Sequence, residues 1–261
     1  MSTFSLFFWT VLPWISAVVF VAGLIWRWRY DQYGWTTQSS QIYESRILRL
    51  SSPLFHYGML GVIVGHAAGL LVPKSATEAL GIPEHTYHLM AVVLGSIFGL
   101  AAILGLLGLL YRRFVVKSVR LATSGNDILM YVLLTAAIFL GGWATLSTQI
   151  LRGSDGYDYR ETISPWIRGV FTFNPQPELM TNVPVEFKLH IIAGLILLLV
   201  WPFTKLVHVV SVPLGYTTRP YVVYRSREAT TSEHARRGWA PVSREARMVK
   251  KNKTEATSRG A

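Results

Sequence analysis

The chain has 261 residues, 51% hydrophobic, 13% aromatic and only 15% charged, with a formal net charge of +11. Such a composition does not belong to an ordinary water-soluble domain. It has no cysteine, which excludes disulfides, thiolate-held iron–sulfur clusters, cysteine zinc sites and CxxCH haem attachment.

The N-terminal apolar run has no basic residue before it, and its first positive charge, Arg27, follows it. It is expected to be a spanning helix and not a cleaved signal peptide. Runs near the roughly 20 residues a bilayer requires predict helices over about 5–26, 51–72, 87–111, 127–147 and 187–210. Trp9, Trp14, Trp26, Trp28, Tyr111 and Trp143 fall near their ends, as aromatic belts do. The expected fold is an all-α membrane protein with five transmembrane helices.

Charge orients it. Of 25 Lys and Arg, four lie in 27–50, four in 112–126 and eleven after Pro213, beside apolar runs. Segments 73–86 and 148–186 hold only Lys74, Arg152, Arg160 and Arg168. The richer side is cytoplasmic, so the N-terminus is expected outside and the C-terminus inside. This distribution argues for membrane lipid and against nucleic acid. The second helix then runs outward and the fifth inward.

The outer segment 148–186, with Asp155-Gly156-Tyr157-Asp158 and Asn174-Pro175-Gln176-Pro177, reads either as a functional loop or as a plain cover. Residues 1–227 are expected to form the membrane domain. Residues 228–261, basic and poor in large apolar side chains, are expected to be a disordered cytoplasmic tail that touches anionic lipid or a partner. His234 in it is expected to be inert.

Four of the seven histidines lie in two spans: His56 and His66 in the second, His190 and His208 in the fifth. An ionisable residue inside a membrane is a functional hypothesis by default. A single one can be a core histidine bonded to a carbonyl. Two pairs point instead to metal, because neutral imidazole is the commonest metal ligand and an axial ligand of haem iron. With no cysteine available, bis-histidine haem b is the natural occupant. Antiparallel helices pair the histidines by depth, His56 with His208 inside and His66 with His190 outside. On ideal helices the first two are about 15 Å apart and the last two about 27 Å, a mismatch left to tilt and a kink at Pro202.

Gly61, Gly65 and Gly69 form a GxxxGxxxG ladder, and Gly95 with Gly99 a further small-xxx-small pair. Both suit close helix packing, and equally a flat macrocycle lying against backbone.

LFHYGMLGVIVGHAAG, SVRLATSGNDIL, KLHIIAG and WPFTKLVHVVSVPLGYTTRPY resemble the gamma subunit of membrane-bound respiratory nitrate reductase over about 5–227. The resemblance implies two haem b groups (protohaem IX), with His56 and His208 as axial ligands of the inner one and His66 and His190 of the outer. It implies quinol oxidation near the outer haem. Electrons would then pass to iron–sulfur (beta) and molybdenum (alpha) subunits on the cytoplasmic side of a prokaryotic cell membrane, nitrate being reduced on another chain. A lysine common in the family's quinol pocket is replaced by Thr86, flanked by His85 and His88. The expected quinol site comprises Gly65, His66, Gly69, His85, Thr86, His88 and Lys188. Glu84, His85 and His88 also read as a weak metal site or a polar helix start.

Two alternatives stand beside this one. A related di-haem subunit of a heterodisulfide- or sulfite-reducing complex would share the four histidines, and its partner subunits would distinguish it. A haem-free transporter or scaffold would be colourless.

Overall fold

In hydrocarbon a backbone must satisfy its own polar groups, and a helix does so within one segment. The computed structural model describes residues 3–36, 39–152 and 156–210. The expected tail over 228–261 and His234 lie outside them. Among the described residues five helices are long and apolar enough to cross a membrane: Thr3–Tyr30, Arg46–Leu71, Glu84–Val115, Gly125–Ile150 and Val185–Phe203. No strand occurs among the described residues. Between 11% and 28% of each span's most apolar window is buried. Most of every span thus presents apolar side chains outward, which suits lipid.

The helix starts are set by residues that cannot belong to the previous turn. Pro73, Pro83 and Pro184 precede Lys74–Ala79, the third span and the fifth, each with extended backbone at ψ 154°, 146° and 145°. The fourth span opens on a capping box. The Ser124 side chain accepts from the Asp127 amide at 3.2 Å, and the Asp127 carboxylate from the Ser124 amide at 3.1 Å. Glu44 caps the second span, accepting from the amides of Ile47 at 2.8 Å and Leu48 at 3.4 Å. Arg112 holds that cap, donating to Glu44 Oε2 at 2.6 Å and to Ser40 Oγ at 2.8 Å. Burial opposes charge on Glu44, but these amides and the guanidinium outweigh it and keep the carboxyl below its ordinary pKa.

The second and third spans are packed antiparallel through small residues. A Cβ on Gly58 would lie 2.5 Å from the Ala102 nitrogen, on Gly61 2.2 Å from the Phe98 ring, on Gly105 2.4 Å from the Phe55 nitrogen and on Gly108 2.2 Å from Ser51 Oγ. The seam sets Gly58 against Ala102, Gly61 against Phe98, Gly105 against Phe55 and Gly108 against Ser51, so of the ladder Gly61 alone belongs to it. Gly65, Gly95 and Gly99 have nothing within 4 Å of such a Cβ.

The fifth span differs from the expected continuous helix over 187–210. Its α-helix stops at Val200, followed by 3₁₀ turns at Trp201–Phe203 and Lys205–Val210. Between them Thr204 is extended, at φ −117° and ψ 176°. Pro202 has no N–H to continue the helix, and it packs where a Cβ on Gly23 of the first span would come within 2.7 Å. The chain ends the helix here and does not merely bend it.

Segment 156–184 is a packed cover. Its helix Ile163–Phe171 buries Ile163, Trp166 and Val170 with Trp9, Met180 and Val183. Trp166 donates its indole N–H to the Trp9 carbonyl at 2.8 Å. Ser164 and Arg168 satisfy the carbonyls of Gly69 and Leu70 at the end of the second span, at 2.8 and 3.1 Å.

Gly105→Leu should force the second and third spans apart and cost about 1–3 kcal/mol. Thermal unfolding in detergent is expected to show a clearly lower midpoint than the parent.

Candidate functional site

The four histidines expected within the spans meet in two pairs, His208 lying just beyond the fifth span. The rings of His56 and His208 lie with centroids 6.3 Å apart, and those of His66 and His190 5.9 Å apart. The pairing expected from depth is the pairing in space. His208 comes from a separate 3₁₀ turn beyond the break after Val200.

Each ring is held the same way. Nδ1 of His56 bonds the Ser52 carbonyl at 2.7 Å, of His66 the Val62 carbonyl at 2.8 Å and of His190 the Ala137 carbonyl at 2.9 Å. Nδ1 of His208 bonds the Lys205 carbonyl. A carbonyl only accepts, so Nδ1 carries the hydrogen in all four and Nε2 carries the lone pair. Such fixing of the tautomer by a main-chain acceptor is typical of metal-ligating histidine. Two metal–nitrogen bonds of about 2 Å, with roughly 1 Å more from each nitrogen to its ring centre, would place two imidazole centroids roughly 6 Å apart. Either pair could therefore hold one haem iron.

Small residues shape the surroundings. The His190 ring lies against Gly141 of the fourth span, where a Cβ would come within 2.8 Å of its Cε1. Ala137, one turn away, supplies the carbonyl. Beside the other ring, Gly65 is open, and the register of the glycine seam brings it level with Gly95, also open. Gly194, one turn beyond His190, is open too. Of the ladder, Gly61 packs against Phe98 and Gly69 against Tyr159, whereas Gly65 is open.

At the same end the residues expected around a quinol are placed unevenly. His85 and Thr86 are exposed at the start of the third span. His88 is half-buried, its Nε2 2.7 Å from Gln149 Oε1, while Gln149 Nε2 donates to the Tyr157 carbonyl at 2.8 Å. Gln149 sits on a π turn, Leu146–Ile150, a feature frequent at functional sites. Gly69 is packed, its hypothetical Cβ 2.8 Å from the Tyr159 hydroxyl. Burial, with Tyr87 nearby, keeps that phenol well above its ordinary pKa and therefore neutral. Lys188 donates to the Thr181 carbonyl at 2.9 Å.

Glu84 pairs with Arg160 at 3.0 Å, and Arg160 also donates to Thr77 at 3.0 Å and lies 3.8 Å over the Tyr87 ring. Glu84, His85 and His88 do not make the weak metal site considered above. Among the described residues no group of three or more His, Cys, Asp or Glu could hold an ion. Sequence reasoning missed Ala137, Gly141 and Gln149; the Gly141-Gly142 pair within an apolar span was the available signal.

Arg160→Met should strand Glu84 and Thr77 and loosen the cover. The expected cost is about 1–3 kcal/mol, below that of a fully buried pair because Glu84 is partly exposed. Limited proteolysis is expected to cleave segment 156–184 faster than in the parent.

Comparison with known proteins adds a second line of argument. A sequence model of the family described as "Nitrate reductase gamma subunit" matches residues 5–227. The chain is 48% identical over 233 residues to the nitrate reductase-like protein NarX of Mycobacterium tuberculosis, covering 89% of this chain and 36% of that protein. It thus spans about a third of that relative's length. It is 45% identical to the nitrate reductase gamma chain of Bacillus subtilis, over 84% of this chain and 97% of that one. To the respiratory nitrate reductase 1 gamma chain of Escherichia coli it is 35% identical, over 87% of this chain and 100% of that one.

Proposed function

Because the chain belongs to the nitrate reductase gamma subunit family and is a multi-pass membrane protein, we propose that it is the quinol-oxidising, di-haem cytochrome b subunit of a quinone-dependent respiratory nitrate reductase. The observation that carries this is the facing of His56 with His208 and of His66 with His190, with every Nδ1 tied to a main-chain carbonyl. Bound at these pairs, two haem b groups would supply one-electron redox centres at two depths of the membrane. The carbonyl bonds place the hydrogen on Nδ1 and so make Nε2 the nitrogen that would meet the iron.

The end bearing His56 and His208 is the cytoplasmic one in this reading, with the N-terminus outside, by the distribution of Lys and Arg. Arg29, Arg46, Arg49, Lys117 and Arg120 are exposed there and suit docking of the iron–sulfur and molybdenum subunits. Arg112 and Arg113 are buried, 3% and 5% exposed, so they hold the fold and do not belong to that surface. Nitrate is reduced on a partner chain, in a prokaryotic cell membrane.

Quinol binds at the opposite end, around Gly65, His66, His85, Thr86 and His88, with Gly69 and Lys188 bordering it. Gly65 leaves a face beside His66 for a flat ring. His88 is the base. Its partner Gln149 spends its amide N–H₂ on the Tyr157 carbonyl and so turns its oxygen to His88 Nε2. That makes Nε2 the donor and leaves Nδ1 as the nitrogen that accepts a quinol proton. Protons released here leave on the outer side.

His56→Ala and His208→Ala are expected to lose the same one of two haems, and His66→Ala and His190→Ala the other, as read from visible spectra of the purified variants. Loss of the same haem in the His56 and His190 variants would contradict the pairing.

His88→Ala should lower quinol-dependent turnover by about 10²-fold while leaving haem content and activity with an artificial dye donor intact. Unchanged quinol kinetics would remove His88 from the reaction.

A further inference from the structure

Two motifs far apart in the chain, SVRLATSGNDIL and WPFTKLVH, are locked together in the fold. Asn126 donates its side-chain amide to the Phe203 carbonyl at 2.8 Å. The neighbouring Asp127 places Oδ1 2.5 Å from Lys205 Nζ and Oδ2 3.8 Å from Arg113. The three charged side chains are 7%, 9% and 6% exposed. Asp127 cannot swing freely, because its carboxylate also closes the capping box with Ser124. Lys205 and Arg113 both lie over the ring of Tyr131, at 5.9 and 5.5 Å from its centroid.

The destination of this linkage is a haem ligand. The carbonyl of Lys205 takes the Nδ1 hydrogen of His208. His208 sits in the 3₁₀ turn Lys205–Val210, beyond the α-helix of the fifth span. Such a stretch lacks the i to i−4 ladder that fixes His190 along its helix, so tertiary contacts must set its place. Within it, Thr204 Oγ1 accepts from the Leu206 amide at 3.2 Å and donates to the Trp201 carbonyl at 3.0 Å. Those bonds are local and tie the turns to each other. Pro202 packs on Gly23 of the first span, and Asn126 and Asp127 supply polar ties to the fourth.

We propose that Asn126 and Asp127 are positioning residues for His208: the start of the fourth span clamps Phe203 and Lys205 and thereby sets the imidazole against His56. This rests on the haem-binding reading above. A buried carboxylate that merely neutralised Arg113 and Lys205 would support both haem sites alike, through general stability. A clamp acts on one.

The test uses the full chain purified in detergent, with Asn126→Ala, Asp127→Asn and the charge-keeping Lys205→Arg. Haem content, the midpoint potential of each haem by redox titration and the low-spin electron paramagnetic resonance signals are measured. In Asn126→Ala and Asp127→Asn the haem of His56 and His208 should be lost, or its potential and signal shifted, with the other haem unchanged; Lys205→Arg should stay close to the parent. A parent with two haems and variants identical to it would overturn the clamp and leave the functional reading standing. Equal loss of both haems in every variant, as general unfolding would give, also overturns it. A parent without haem overturns both.

Discussion

An imidazole inside a membrane must give its N–H to something, and in this chain all four go to main-chain carbonyls. The solutions differ. His56 and His66 use the carbonyl one turn back on their own helix, at Ser52 and Val62. His190 reaches across to Ala137 of the fourth span, and His208 uses Lys205 within a 3₁₀ turn. Each leaves the same nitrogen, Nε2, as lone-pair donor, and the two facing pairs follow from the antiparallel run of the second and fifth spans. The cost of burying an unpaired polar group thus selects both the tautomer and its direction.

The rest of the fold keeps these two spans in place through their other neighbours. The second is held from behind by the glycine seam with the third, where Gly58 and Gly105 admit backbone and Gly61 and Gly108 admit the side chains of Phe98 and Ser51. The fifth is held by the fourth, where Gly141 admits the His190 ring. The two ends are closed differently. At the His66 end, segment 156–184 caps the carbonyls of Gly69 and Leu70 and inserts Arg160 between Glu84 and Thr77. At the His56 end, buried ions do the work, with Arg112 on Glu44 and Asp127 between Arg113 and Lys205.

The five spans were legible because length and apolarity are properties of single segments, and lipid leaves them few alternatives. The pairing of histidines was legible too, since alternate crossing of a bilayer determines depth. What escaped was set between segments. GxxxGxxxG marks a close approach but not its partner: Gly61 meets Phe98, whereas Gly65 meets nothing. Pro202 announced a disturbance, but whether a proline kinks or ends a helix depends on what lies beyond. Here Thr204 turns extended, and Asn126 and Asp127 receive the next turn. The residues proposed around a quinol were the least legible. His88 gains its orientation from Gln149, sixty-one positions away in the chain, and Lys188 is directed to Thr181.

On the proposed function, the two facing imidazole pairs each hold one non-covalent haem b. This is tested by pyridine haemochrome analysis of the purified chain, set against its protein concentration and followed by acid–acetone extraction. Two haems per chain are expected, both extractable, with the spectrum of protohaem. One haem per chain, none, or haem that stays with the protein on extraction would contradict it.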